Sequence, residues 1–169
     1  MPAPAAPPVP SAPLHPLHLR ALCTTAPSLR QVSNLVDNGL KYCEATSGGA
    51  SYLGLCCRWD EQEERISIAV WNSAAPLPEE ELRRAFAWGA RGSAAASSMV
   101  GGSGYGLHIV QRLVGLMGGS VSLANEPLPE WLSAVLPPGS DPGGEEGLFP
   151  DERPHGVSGC IYLPRGTQR

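Results

Sequence analysis

The sequence predicts an α+β fold, a two-layer α/β sandwich, and three observations carry that prediction. Two amphipathic helical stripes stand far apart in the chain, at residues 28–43 and 106–117. Four strand-like runs accompany them, at 52–59, 65–71, 120–124 and 159–163. Helices and strands do not alternate regularly, which argues against a doubly wound sheet.

Each element has its own reason. In the first stripe Leu29, Val32, Val36, Leu40 and Cys43 recur at three- and four-residue steps, so one face of a helix is apolar. In the second strand Ile66, Ile68 and Val70 alternate with other residues, as in a half-buried strand. Pro78-Glu79-Glu80-Glu81 is proline-led and acidic, which suits a helix start, and the pattern continues through Leu82 and Phe86. Residues 90–103 are small, glycine- and serine-rich, and read as a mobile segment. Leu107, Val110, Val114 and Met117 share one stripe, and Gly118-Gly119 ends that helix.

At 169 residues the chain is the size of one domain. A net charge of −4 gives no support to a nucleic-acid partner or an anionic membrane surface. No unbroken apolar run is long enough to span a bilayer, so no membrane contact is expected from this chain itself. The five cysteines are odd in number and form no CxxC pair, which points away from a disulfide framework or a zinc site. Free thiols in a reducing compartment follow, the cytoplasm in the first instance.

Two segments differ in composition from the rest. Residues 1–27 hold eight prolines and a single charged side chain, Arg20, and read as a flexible arm. Such an arm is a disordered linker or, lacking acidic residues, a transit peptide leading to an organelle stroma or matrix. Residues 126–156 hold seven prolines, five glycines and seven acidic residues, and read as an acidic loop inserted before the last strand of a domain at 28–165. Removal of residues 129–153 is expected to leave the fold intact.

Two constellations can carry chemistry. On the first helix Asn34, Asn38 and Lys41 fall within about 60° of one another, opposite the apolar stripe, at 100° per residue. Carboxamide oxygens coordinate a hard cation such as Mg²⁺, and an ammonium neutralises phosphate, so this face suits a metal–polyphosphate ligand; a plain solvated face is the alternative. The second is Gly102-Ser103-Gly104-Tyr105-Gly106 running directly into a helix. Glycines there permit close backbone approach, and the free amides of a helix start attract phosphate. The spacing matches neither a Rossmann fingerprint nor a Walker loop.

Together these stretches resemble a known family. Leu29-Arg-Gln-Val-Ser-Asn-Leu-Val-Asp-Asn-Gly-Leu-Lys-Tyr42 is similar to the N box of the histidine kinase and GHKL ATPase family. Gly102-Ser-Gly-Tyr-Gly-Leu-His-Ile-Val110, followed by Gly118-Gly119, resembles its second glycine box. The resemblance implies the GHKL (Bergerat) sandwich, a mixed sheet covered by helices on one face. It implies ATP and Mg²⁺ as cofactors, Asn38 as the metal ligand, Lys41 near the phosphates and Tyr42 lining the nucleotide pocket. Residues 90–103 match a lid flanked by Phe86 and Arg91, and Gly102, Gly104, Gly106 and Leu107 belong to the phosphate-side loop. Asn34 occupies the catalytic turn where the family's ATPases carry a water-activating glutamate. An asparagine is no general base, which argues against the gyrase, MutL and heat-shock branch and for phosphotransfer or mere binding over hydrolysis.

One departure stands out. The family's Asp-x-Gly-x-Gly, whose aspartate accepts the adenine amino group, is here Asn72-Ser-Ala-Ala-Pro76. A neutral acceptor makes the weaker bond, so Asn72→Asp is expected to tighten ATP binding. No segment resembles a phosphoacceptor helix. The implied activity is therefore that of a sensor histidine kinase catalytic domain acting on a separate phosphoacceptor (dimerisation) domain, with a response regulator beyond it. The alternative is a pseudokinase-like scaffold that binds protein through the acidic loop, with Trp131 and Phe149 as anchors.

Overall fold

The computed structural model describes residues 26–45, 49–92, 103–136 and 154–164. Eight elements follow in order: α1 (Ala26–Lys41), β1 (Leu53–Asp60), β2 (Arg65–Ser73), α2 (Glu79–Arg84), α3 (Gly106–Leu116), β3 (Ser120–Pro127), α4 (Glu130–Ser133) and β4 (His155–Pro164). The expected arm at 1–27 lies outside the described residues except for Ala26 and Pro27, which already belong to α1. Proline is tolerated there because the first turn of a helix has no partner for its N–H.

The four strands form one sheet in the order β1-β2-β4-β3. Every pairing is antiparallel, which corrects the expected mixed sheet. The reason lies in the order. β2 and β3 run in the same direction, but β4 lies between them and turns one parallel contact into two antiparallel ones. β1 and β2 join through a tight turn in which the Asp60 carboxylate accepts the N–H groups of Gln62 and Glu63 at 3.0 and 3.1 Å.

Alternation along β2 assigns the two faces. Ile66, Ile68 and Val70 point towards α1 and α3 and join Leu35, Val110, Val114 and Ile161 in the main core. α3 ends at Leu116, and just beyond it Gly118 takes φ 73°, which glycine adopts freely, while the Gly119 N–H reaches back to the Val114 carbonyl at 2.9 Å. Burial in this core pushes the Cys57 thiol up to about 11, with Cys56 beside it adding to the shift. Cys43, Cys56, Cys57 and Cys160 are all free among the described residues, and Cys23 lies outside them.

The opposite face of β2 carries Trp71, and here the expected acidic loop is corrected. β3 runs on to Pro127, β4 begins at His155, and the chain between them is packed at its start. Leu128 and Leu132 are buried against Trp71, with Tyr52, Trp131 and Leu136 around them. A cluster of this kind resists deletion, so removing residues 129–153 is now expected to damage the fold. Trp131 is spent on this packing and is not a free anchor, while Phe149 lies outside the described residues. It also means that helices do not cover one face alone, since α4 lies on the far side.

One core position is anomalous. Gln31 is 1% exposed, on the same line of α1 as Leu35, and neither atom of its carboxamide has a hydrogen-bond partner among the described residues. Stranded polar atoms of this kind cost about 1–3 kcal/mol. Gln31→Met, of similar shape, is expected to stabilise the domain by about 1–2 kcal/mol in urea denaturation. A less stable variant would show that Gln31 is satisfied in solution.

Candidate functional site

The C-terminal end of α1, the end of β2, residues 74–78, α2 and the first turn of α3 enclose a cavity of about 660 Å³. Leu123, Val157 and Gly159 contribute apolar wall from β3 and β4. The volume lies within the range of small-molecule and cofactor sites.

Asn38, Lys41, Tyr42, Asn72, Arg91, Gly104 and Leu107, all expected from the sequence, line this cavity. Gly106 stands behind Asn38: a Cβ added there would lie 3.8 Å from Asn38 Nδ2 and 4.0 Å from Oδ1. The Asn38 carboxamide therefore borders the start of α3, a helix with no side-chain cap and no acidic residue in its first turn. Free first-turn amides and the positive end of the helix dipole make that point attractive to an anion. Gly104 has φ 71°, and a Cβ on it would meet the Ala90 oxygen at 2.8 Å, so glycine is required for residues 103–106 to lie against 89–90. Gly102 lies outside the described residues, as do residues 93–102 of the expected lid.

Asn34 shares an arc with Asn38 and Lys41 and is half-buried, and the lining of the cavity on α1 begins at its neighbour Leu35.

Asn72, also in the cavity lining, is 6% exposed. Its Nδ2 donates to the Tyr42 carbonyl at 3.4 Å and to the Ser73 carbonyl at 3.3 Å. Two carbonyls around one side-chain atom identify that atom as the nitrogen. Oδ1 is left on the side of Gly39, where an added Cβ would lie 3.6 Å from it. An aspartate here would face those two carbonyls with charge, which reverses the expectation that Asn72→Asp improves the site.

Several residues of the site gave no signal in the sequence. Glu44 lines the cavity just beyond α1, and its Oε2 accepts the Ala75 N–H at 2.9 Å. Asn125 holds Leu77 by two bonds of 2.8 Å, accepting its N–H and donating to its carbonyl. Trp88 also lines the cavity; its ring lies 4.4 Å from that of Tyr105 and meets His108 edge-on at 5.1 Å. His108 Nδ1 is 3.1 Å from the Phe86 carbonyl and so donates to it, which ties residues 86–90 to α3. On α2, the hydrogen bond and charge of Arg83 hold the Glu80 carboxyl below its usual range.

Sequence comparison decides the family. Residues 26–146 match the profile described as histidine kinase-, DNA gyrase B-, and HSP90-like ATPase. The chain belongs to this ATPase family. ATP is the nucleotide of the family. Signal transduction histidine-protein kinase BarA of Escherichia coli (strain K12) is 30% identical over 96 residues, covering 57% of this chain and 10% of the relative. Sensor histidine kinase YcbM of Bacillus subtilis (strain 168) is 30% identical over 98 residues, 58% of this chain and 30% of the relative. The chain thus spans between a tenth and a third of these two kinases and is homologous to that part of them.

Solved structures agree on the fold. The mycobacterial sensor histidine kinase MprB superimposes with TM-score 0.57 at 22% identity, covering 82% of this chain and 72% of that one. Full-length ShkA in complex with AMPPNP gives TM-score 0.51 at 19% identity, covering 82% of this chain and 21% of that one. Members of the family thus share this α+β sandwich. Among the described residues no helix is long and apolar enough to cross a membrane.

Proposed function

We propose that this domain binds Mg²⁺–ATP in the 660 Å³ cavity and serves as the catalytic domain of a histidine kinase. The observation that carries the reading is that Asn38, Lys41 and Asn72 line one cavity, with the Asn38 carboxamide bordering the uncapped start of α3. The donor set fits the metal. Mg²⁺ in nucleotide sites takes few protein oxygens and completes its shell with phosphates and water, so one carboxamide, Asn38, suffices. The bound ion would neutralise phosphate charge.

The residues of this chain then divide the work. Lys41 and the first-turn amides of α3 hold and screen the phosphates, and Asn72 Oδ1 accepts a base N–H. Phosphoryl transfer breaks the bond between the γ-phosphorus and its bridging oxygen and forms a bond to an imidazole nitrogen of the acceptor. That histidine lies on a phosphoacceptor (dimerisation) domain, from which a response regulator would receive the group. Hydrolysis is disfavoured, because Asn34 is not a general base. A reducing compartment, the cytoplasm, suits the free thiols.

The test is calorimetric titration with Mg²⁺–ATP, followed by transfer of labelled γ-phosphate to a supplied phosphoacceptor domain. Asn38→Ala is expected to lower Mg²⁺–ATP affinity by at least about tenfold without lowering the melting temperature, because the side chain lies at the cavity and outside the core. No binding at millimolar nucleotide overturns the reading. The second reading, a protein-binding scaffold with little or no ATP binding, is favoured by the neutral Asn72 and the alanines that follow it; efficient phosphotransfer excludes it.

A further inference from the structure

The wall that replaces the family's glycine loop has an unusual hydrogen-bond inventory. Of residues 74–78, Pro76 and Pro78 have no N–H. The Ala74 N–H donates to the His155 carbonyl at 3.3 Å, the Ala75 N–H to Glu44 Oε2 at 2.9 Å, and the Leu77 N–H to Asn125 Oδ1 at 2.8 Å. Asn72 Nδ2 is engaged by two carbonyls. Every donor from the Asn72 side chain to Pro78 is therefore committed inside the protein. The wall offers a ligand acceptors only, the Asn72 Oδ1 and the Glu44 carboxylate, and both residues line the cavity.

Glu44 is also firmly placed. Its N–H donates to the Ser73 carbonyl at 2.8 Å, and its own carbonyl accepts the Ser73 hydroxyl at 2.6 Å. One carboxylate oxygen is fixed on Ala75, while the other carries its share of the charge with no partner among the described residues. The other two cavity carboxylates, Glu80 and Glu81, belong to α2, and Glu80 is engaged by Arg83 at 2.6 Å.

We propose that Glu44 is a specificity-determining residue of the cavity: its carboxylate supplies the anionic acceptor that Asn72 does not, and so favours a base carrying an amino group over one carrying a carbonyl. This rests on the nucleotide reading above. A 6-oxo purine brings a lone pair to a wall without a free donor and with a negative charge, whereas adenine brings N–H groups. Charge-assisted bonds are about twice as strong as neutral ones, so discrimination of about tenfold or more is expected from this one group.

The deciding variant is Glu44→Gln. It keeps an oxygen for the Ala75 N–H, so the wall stays in place, but it removes the charge and adds an N–H₂ donor. ATP and ITP are the probes, because at the purine six position they present amino against oxo, with N1 an acceptor in ATP and an N–H in ITP. Calorimetry on Glu44→Gln is expected to show ATP weakened about tenfold and ITP strengthened, so that the preference shrinks or inverts. Glu44→Ala should lose ATP affinity without gaining ITP. Unchanged affinities, or equal weakening of both nucleotides in Glu44→Gln, reduce Glu44 to a support for Ala75 and overturn the proposal while leaving the nucleotide reading intact. A parent chain that binds neither nucleotide overturns both.

Discussion

Trp71→Ala is expected to cost the domain about 3–5 kcal/mol, the largest loss from any single truncation considered for this chain. The indole is 0% exposed and its N–H donates to the Glu126 carbonyl at 3.2 Å. Leu128 and Leu132 lie buried against it, and a Cβ on Gly156 would come within 2.4 Å of the ring. No small neighbour can expand to fill the space an alanine would leave, so both the transfer and cavity penalties apply. Leu132→Ala should cost about 2–4 kcal/mol alone. The double variant should lose less than the sum, because both side chains serve one cluster. Equilibrium urea denaturation of the three variants decides the matter. Losses below about 1 kcal/mol would return residues 128–136 to the status of a loose insertion.

The second large effect is expected at Asn72, next in sequence and on the other face of the strand. Asn72→Asp puts a carboxylate at a position 6% exposed, against two carbonyl oxygens that now accept hydrogen bonds. A cost on the order of 3 kcal/mol at neutral pH follows from an uncompensated buried charge. The sign with pH is definite. Burial among carbonyls raises the folded-state pKa of the introduced carboxyl above its unfolded value of about 4. Below about pH 4 both states hold the proton and the charge penalty is absent; as pH rises past that point only the unfolded chain ionises, and stability falls. The deficit of the variant should therefore shrink in acid. ATP affinity should fall as well, since Asn72 lines the cavity. A variant as stable as the parent that binds ATP more tightly would show that the Asn72 amide is free to turn.

What the sequence disclosed and what it hid divide along a physical line. α3 and β2 were legible because each writes its burial in a local period, Val110 and Val114 on one stripe, or Ile66, Ile68 and Val70 in alternation. α1 was legible as a helix but not in its facing: the buried line is Gln31, Leu35 and Gly39, while Leu40 of the expected stripe is 61% exposed and Cys43 lies beyond the helix. The cavity residues on α1 and at the start of α3 were legible through the family's motifs. Leu128 and Leu132 were not, since prolines and acids surround them and their apolar partner Trp71 is remote in sequence. Asn125 and Glu44 hold backbone groups 48 and 31 residues away, and no window of neighbouring residues records such a bond.

The strand order has a consequence for how the chain acquires its structure. β4, the last strand described, occupies an interior position, and Ile161 pairs with Ile68 on one side and Val121 on the other. During synthesis β1 and β2 can zip early, yet β3 has no neighbour and the main core no Ile161 until β4 arrives. Both of its borders are long-range pairings, whose loop-closure entropy must be met before any contact rewards it. Until then β2 presents an open edge beside the apolar residues Ile66, Ile68 and Val70, the very state in which strands recruit the wrong partner.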